Sequence, residues 1–294
     1  MSNILNNQNL ENNLKLLAAQ RQINSNLKFK RGIVRFFSLS IFMISFLVLH
    51  GVINANDKYS VIREVFCISI SIFSFFLTFG FKAEKELAAN FQQKFDSNLF
   101  GLKFELLSQD EIKISELASK HDSIIGNIEK IEGWYTSAIG IKTFPEDILS
   151  CQKQNLIWTK HLKKSFVFFL IILNFLILVT SIIVSIRFWN ESNYPNFKII
   201  YEIIIFYLCY TSAFLIPLIK HLTDLYRINQ CILLYCEIYD LVGISPTRKV
   251  NIAIIEKIQN HIFNYRKYNL SIPDFFADGR KFVLEAKSKI WVKN

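Results

Sequence analysis

Four long runs of apolar residues dominate the pattern along the chain. They cover residues 33–53, 61–81, 166–186 and 199–219. Each run is close to the ~20 residues that a helix needs to cross about 30 Å of hydrocarbon. Because lipid offers no hydrogen-bond partner to peptide groups, such runs must close their backbone hydrogen bonds internally as helices. The pattern therefore predicts an all-α integral membrane protein with four transmembrane helices in two hairpins.

Apolar residues also recur at helical spacing outside these runs. They return at intervals of about three to four positions over 83–107, 112–131 and 250–265, which is typical of amphipathic helices. Within the first of these, a bend at Gly101 is the alternative to a straight helix. The third span is expected to begin in a helix that starts near Pro145, and helix is expected to continue beyond the fourth span to about Tyr239. The spans are therefore expected to carry helical extensions outside the membrane.

A fifth span over residues 228–244 is the alternative for the last of these extensions. Gln230, Glu237 and Asp240 interrupt that run. An acidic residue at the centre of a span costs about 2.5 to 3.5 kcal/mol on insertion scales. A core helix outside the membrane is therefore the favoured interpretation.

Basic residues indicate the orientation of the spans. Those at one set of span ends are Lys28, Lys30, Arg31, Arg35, Lys82, Lys85, Lys160, Lys163, Lys164, Lys220 and Arg227. The opposite ends carry only Lys58, Arg63, Arg187 and Lys198. By the positive-inside rule, both termini and the middle of the chain are expected to be cytoplasmic in a multi-pass protein of the plasma membrane.

The predicted organisation has five segments. A cytoplasmic N-terminal segment (1–32) precedes the first hairpin (33–81), and a cytoplasmic helical insert (82–164) separates it from the second hairpin (165–219). A cytoplasmic helical region (220–294) follows. Only two short loops would then face the outer side, which argues against a receptor for extracellular ligands. The first residues lack an apolar core, so the first span is expected to serve as the insertion signal.

The net charge of +10 is unevenly distributed. It divides into +5 in residues 1–81, zero in 82–164, zero in 165–219 and +5 in 220–294. Basic residues beside the cytoplasmic leaflet are attracted to anionic lipid, which is the favoured explanation. An anionic ligand and nucleic acid are the alternatives, but no DNA- or RNA-binding motif accompanies the charge. We therefore expect a bilayer partner and no direct DNA or RNA binding.

The residues that usually carry catalysis or bind metals are scattered. None of the five histidines or five cysteines has metal-ligand spacing, and no phosphate-binding loop or nucleophile elbow is present. We expect reduced thiols, no metal, no resident cofactor and no enzymatic activity.

Small polar residues within the spans share helix faces. They are Ser71, Ser74 and Thr78 in the second span and Asn174, Ser181 and Ser185 in the third. Such faces could line a water-filled pore or pack against another helix, since small hydroxyl residues are common at helix contacts in membranes. Both interpretations remain open. Four helices leave little room for a wide lumen, so a pore would require a homo-oligomer, with a closed ring as the usual solution.

Several segments resemble the SMODS-associated four-transmembrane effector family. They are residues 7–22, 95–102, the pair Trp134-Tyr135, residues 151–158 and residues 272–276. Their order and spacing are similar over nearly the whole chain. The resemblance implies a bacterial inner-membrane effector of cyclic-oligonucleotide-based antiphage signalling (CBASS). It further implies coupling to a nucleotidyltransferase that makes a cyclic oligonucleotide, and membrane disruption leading to abortive infection.

A directly bound cyclic oligonucleotide would need cations for its phosphates and aromatic rings for its bases. The candidate residues are Trp134, Tyr135, Lys142, Lys153, Trp158 and Lys160. Two other classes of function stay open: a transporter or channel-like protein, and a non-toxic membrane scaffold or sensor subunit. A transporter would usually show internal repeats or charges deep in its spans.

Overall fold

A computed structural model describes residues 3–49, 65, 68–69, 72, 81–124, 131–191, 197–242, 248–280 and 283. Within these ranges the secondary structure is helical and contains no strand. The all-α prediction is therefore confirmed. The second predicted span lies almost entirely outside the described residues.

Four α-helices of the N-terminal half have both of their ends within the described residues. They are α1 (Ile4–Asn7), α2 (Glu11–Leu49), α3 (Lys82–Phe100) and α4 (Ser108–Ile124). The prediction that α3 reaches residue 107 is wrong. The helix ends because Gly101 adopts a left-handed conformation with φ of +68°, and the Leu102 N–H donates to the Ser97 carbonyl at 3.0 Å. This is the hydrogen bond of a glycine-terminated helix, and it satisfies a carbonyl that would otherwise lack a partner.

The C-terminal half begins with a short 3-10 helix (Ser137–Ile141) and α5 (Glu146–Glu191). Helix α6 (Phe197–Tyr210), a π-helical turn (Thr211–Leu215) and α7 (Ile216–Val242) follow one another without interruption. The π-helical turn lies just before Pro217, which has no N–H to donate to the preceding turn. Helix α8 (Arg248–Tyr268) confirms the helix predicted near residues 250–265.

The chain divides into two compact units. One, here called the polar unit, comprises residues 1–28, 82–164 and 223–294, and the other, the apolar unit, comprises residues 29–81 and 165–222. These boundaries lie close to the segment boundaries drawn from the sequence. The side of the membrane on which each segment lies stays a prediction.

Helices α3 and α8 pack together in the polar unit. Phe91 and Phe95 of α3 are fully buried. Ile255 of α8 is also fully buried, and Ile258 of the same helix is 1% exposed. Their three- to four-residue spacing along each helix produces the apolar face that the sequence pattern predicts. Residues 228–242 of α7 belong to this unit, which supports a core helix rather than a fifth span.

Aromatic residues and an isoleucine form the described core of the apolar unit. Ile41, Phe42, Phe206, Tyr210 and Phe214 are buried together. The outward side of α5 is also apolar, with large exposed residues that include Phe168, Phe175, Leu176, Ile182 and Ile183. A contiguous apolar surface of this kind suits hydrocarbon better than water.

One helix of the described chain is both long and apolar enough to cross a membrane. It covers Glu146–Ile183 and contains much of the predicted third span. The first predicted span extends beyond the described end of α2, and the fourth is divided between α6, the π-helical turn and α7. The four-span topology therefore stays a prediction.

Candidate functional sites

The loop that carries Trp134 and Tyr135 is held by side chains near the N-terminus of the chain. The Gly133 N–H donates to Asn9 Oδ1 at 3.1 Å, and the Tyr135 N–H donates to Gln8 Oε1 at 2.8 Å. Gly133 has a φ of +68°, a conformation that favours glycine. The two neighbouring aromatic residues are therefore placed by fixed backbone contacts.

Tyr135 belongs to the core of the polar unit. Its side chain is 2% exposed, and its hydroxyl donates to Asp96 Oδ1 at 2.7 Å while accepting from Asn155 Nδ2 at 2.9 Å. Burial, with the nearby Asp96 carboxylate, raises the pKa of Tyr135 well above its usual value. In this conformation Tyr135 offers no ring face to a ligand, and its proposed role in binding stays a prediction.

Asp96 lies at the centre of a buried polar network. Its carboxylate is fully enclosed, and Oδ2 accepts from Arg266 Nη1 at 2.6 Å and from Gln259 Nε2 at 3.0 Å. Gln259 also contacts Gln93 at 2.9 Å and Gln152 at 3.1 Å. These bonds join α3, α5 and α8. Since a buried charge is stable only with its partner in place, the network specifies how these three helices meet.

Trp134 is half-buried and contacts a cation that no local sequence pattern distinguishes. Arg21 Cζ lies 5.6 Å from the centre of the Trp134 ring, within cation–π range. Burial lowers the pKa of Arg21, and within the described part of the chain this guanidinium has no carboxylate partner. A half-buried cation beside an aromatic ring is suited to an anionic group with an aromatic portion.

His121 lies near the same cation. Its side chain is 3% exposed, and its Nδ1 has no hydrogen-bond partner among the described residues. Burial lowers the pKa of His121, and the positive charge of Arg21 lowers it further. Arg21 and His121 are a hundred positions apart, so no local sequence pattern could have joined them.

The remaining candidate ligand residues lie elsewhere on the polar unit. Lys142 directly follows the 3-10 helix, and Lys153, Trp158 and Lys160 lie on α5. All four are half-buried, and no hydrogen bond or ring contact between described residues joins them to Trp134. The structure thus brings Trp134 together with Tyr135 and Arg21, but not with Trp158 or the three lysines. The binding role of these four residues stays a prediction.

Two candidate pore residues are buried in the apolar unit. Asn174 donates to the Leu170 carbonyl at 2.8 Å and accepts from the Tyr210 hydroxyl at 3.1 Å. Ser181 is 1% exposed, and its hydroxyl donates to the Ile177 carbonyl at 2.5 Å. In this conformation both side chains are placed as helix-packing residues would be. Whether they line a pore in an assembled form stays a prediction.

The side chains of the other candidate pore residues are not among those that the structure describes. Ser185 lies in α5, and its helical backbone alone is described. Ser71, Ser74 and Thr78 lie outside the described residues. Their proposed role therefore rests on the sequence pattern.

Metal-ligating side chains do not cluster in the described ranges. No group of three or more histidine, cysteine, aspartate or glutamate residues there could hold a metal ion. Cys151, Cys231 and Cys236 are free thiols, and burial raises the pKa of Cys151 and of Cys231. These buried thiols are protonated and unreactive at neutral pH.

Comparison with known proteins decides the family. The profile of the SMODS-associating 4TM effector domain matches residues 2–286. The chain belongs to this family. The resemblance drawn from Trp134-Tyr135 and the other segments is thereby confirmed, and membership makes this effector a membrane protein.

A curated relative supports the same assignment. This SMODS-associating 4TM effector is 26% identical over 176 residues to a Bacillus cereus (strain VD146) protein named "Probable CBASS effector molecule". The aligned region covers 55% of this chain and 56% of the relative, so the chain spans about half the length of that protein. No solved structure matches the chain.

Proposed function

We propose that the protein is a pore-forming or membrane-disrupting effector of bacterial antiphage defence, activated from the cytoplasm by a cyclic oligonucleotide and causing abortive infection. The family match over residues 2–286 carries this proposal. The CBASS-effector name of the Bacillus cereus relative supports the link to cyclic-oligonucleotide signalling. A nucleotidyltransferase of the same defence system would supply the activator.

The apolar unit supports action on the bilayer. Its outward residues on α5 suit contact with lipid, while its buried core is aromatic. A single protomer with four spans has too little room for a wide lumen. Lesions would therefore form when several copies assemble, and closed rotational symmetry is the usual arrangement of such assemblies.

The pair Arg21 and Trp134 supports an anionic, aromatic activator. The guanidinium can donate to a phosphate, and the ring can stack on a base. Among the described residues, no acidic side chain forms an ion pair with the Arg21 guanidinium. To move the equilibrium from mostly resting to mostly active, the activator must favour the active state by about 5.5 kcal/mol.

Dye release from liposomes tests the proposal. The full chain is reconstituted in vesicles that contain a self-quenched dye, and cyclic dinucleotides and cyclic trinucleotides are added one at a time. We expect at least one of them to release the dye. Arg21→Gln and Trp134→Ala should each weaken the response by about 1 to 3 kcal/mol in apparent affinity, the range for one stacking contact. Arg280→Gln, which alters an exposed arginine, is the matched control.

Other outcomes would favour the competing classes of function. Vesicles that stay sealed with every nucleotide, while the protein still binds one, would indicate a scaffold or sensor subunit. Flux of one solute without general dye release would indicate a transporter or selective channel.

A further inference from the structure

Lys163 and Asp224 form an ion pair that the polar unit encloses almost completely. Lys163 Nζ lies 2.7 Å from Asp224 Oδ2, and the two side chains are 2% and 4% exposed. Both also bond to the backbone of Leu270. Lys163 Nζ donates to the Leu270 carbonyl at 2.5 Å, and the Leu270 N–H donates to Asp224 Oδ2 at 2.6 Å. The ion pair thus holds the segment that follows α8.

Further contacts join the last residue of α8 and the segment that follows it to other helices. Lys82 Nζ and Arg227 Cζ each lie 5.9 Å from the centre of the Tyr268 ring. Asp274 forms an ion pair with Lys28. Residues 268–274, which we call the clasp, therefore contact α2, α3, α5 and α7.

The partners of the clasp stand where the chain passes between the two units. The polar unit comprises residues 1–28, 82–164 and 223–294, so the chain makes four such crossings. At each crossing, one clasp partner is either the residue of the polar unit at the boundary or the residue next to it. These partners are Lys28, Lys82, Lys163 and Asp224.

Apolar burial does little to hold the clasp. Ile272 is buried, but Tyr268 is 53% exposed and the neighbouring Phe275 is 73% exposed. Segments with few buried apolar contacts open at lower free energy than the surrounding core. The clasp is therefore secured mainly by charges and hydrogen bonds.

We propose that the clasp is a regulatory device that holds the four crossings in the resting arrangement, and that its release allows the membrane-active state. This proposal rests on the proposed function and specifies how that function is controlled. A buried ion pair suits the role because it specifies one arrangement of its helices more than it adds net stability. An activator that favours the released clasp would shift the population toward the active state.

The first test removes the ion pair without leaving an unpaired buried charge. The full chain carrying Lys163→Met and Asp224→Leu is reconstituted in phosphatidylethanolamine–phosphatidylglycerol vesicles with an entrapped dye. Without any nucleotide, we expect release to be faster than for the unmodified chain by on the order of tenfold, since the double change removes the bonds that specify the resting arrangement. The matched control is Glu116→Leu with Lys120→Met, which removes an exposed ion pair from α4. Its release should equal that of the unmodified chain.

The second test closes the clasp again by a covalent link. Lys28→Cys and Asp274→Cys are added to the double variant, with the exposed Cys236 changed to serine. A cleavable bis-maleimide that joins positions 28 and 274 should return dye release to the resting rate, and cleavage of the linker should restore the fast rate. This reversal would not occur if the ion-pair variant leaked because it was misfolded.

The outcomes separate this proposal from the proposed function. If a nucleotide makes the unmodified chain release dye but the ion-pair variant is no leakier than its control, the clasp proposal is overturned and the function stands. If the variant leaks and the linker stops it, but no nucleotide acts on the unmodified chain, the clasp is supported and nucleotide activation fails. A leak that the linker does not alter overturns the clasp proposal, and vesicles that stay sealed throughout overturn both.

Discussion

Different kinds of buried side chain stabilise the interior of the polar unit and the interior of the apolar unit. The polar unit buries complete ion pairs, Asp96 with Arg266 and Lys163 with Asp224. The described core of the apolar unit is aromatic and aliphatic, and its buried amide, Asn174, is satisfied by Tyr210 and by its own helix.

The difference follows from the surroundings that each unit is expected to have. In water, apolar burial supplies the driving force, so a few fully paired charges can be kept to specify how helices meet. In lipid, the surroundings are as apolar as the core, and helices associate through close packing and a few interhelical hydrogen bonds. Changes of charge should therefore disrupt the first unit, and changes of side-chain volume should disrupt the second.

The largest expected effect is that of Arg266→Met. This change leaves the enclosed Asp96 carboxylate without its cation and should lower the free energy of unfolding by about 3 to 5 kcal/mol. Chemical denaturation of the purified protein in detergent would measure it. Lys120→Met, which breaks an exposed pair with Glu116, should change the same quantity by less than about 1 kcal/mol. Equal losses in the two variants would show that the Asp96 network is not a stabilising centre.

A smaller effect is expected from Ser181→Leu in the apolar unit. Ser181 is enclosed, so the larger side chain should overpack the helix contact and lower stability by about 1 to 3 kcal/mol. Thr180→Leu, at the exposed neighbouring position, should be tolerated because lipid favours leucine. Thermal unfolding and native-gel size would check both variants. A normally stable and assembled Ser181→Leu protein with reduced vesicle leakage would instead place Ser181 in the lumen.

The smallest expected effect is a pH dependence of stability that arises from His121 in the polar unit. Burial lowers the pKa of His121 from its ordinary 6.5, so the folded state binds fewer protons than the unfolded state just below that pH. Stability should therefore fall modestly as the pH is lowered below about 6.5. His121→Gln should reduce this dependence, whereas His261→Gln, at an exposed position, should leave it unchanged. Identical pH profiles for the two variants would remove His121 as the cause.

Periodicity predicted the helices of the polar unit but not their tertiary contacts. The apolar spacing near residues 250–265 predicted α8, because a buried helix face leaves a local pattern. At Gly101 the sequence suggested a bend, whereas α3 ends there, because a single glycine can bend a helix or terminate it. The partnership of Asp96 with Arg266 joins residues 170 positions apart, and no local pattern encodes it.

The candidate ligand site shows the same limit. Trp134 was predicted because aromatic residues can stack on bases, whereas Arg21 was missed because an arginine in an N-terminal helix resembles any solvated cation. Its half-buried position over Trp134 becomes evident only in the fold. Tyr135 had the right chemistry for stacking, but its hydroxyl bond to Asp96 places it in the core.

The position of the clasp in the sequence has a consequence for synthesis. Residues 268–274 leave the ribosome after every helix that they hold, and after all four apolar runs. Each nascent copy therefore passes through a stage in which the runs are complete while Lys163 and Asp224 still lack Leu270. A translation product that stopped before residue 268 would retain the membrane-directed part of the chain without its restraint. Under the clasp proposal, incomplete copies would be more harmful to the cell than finished ones.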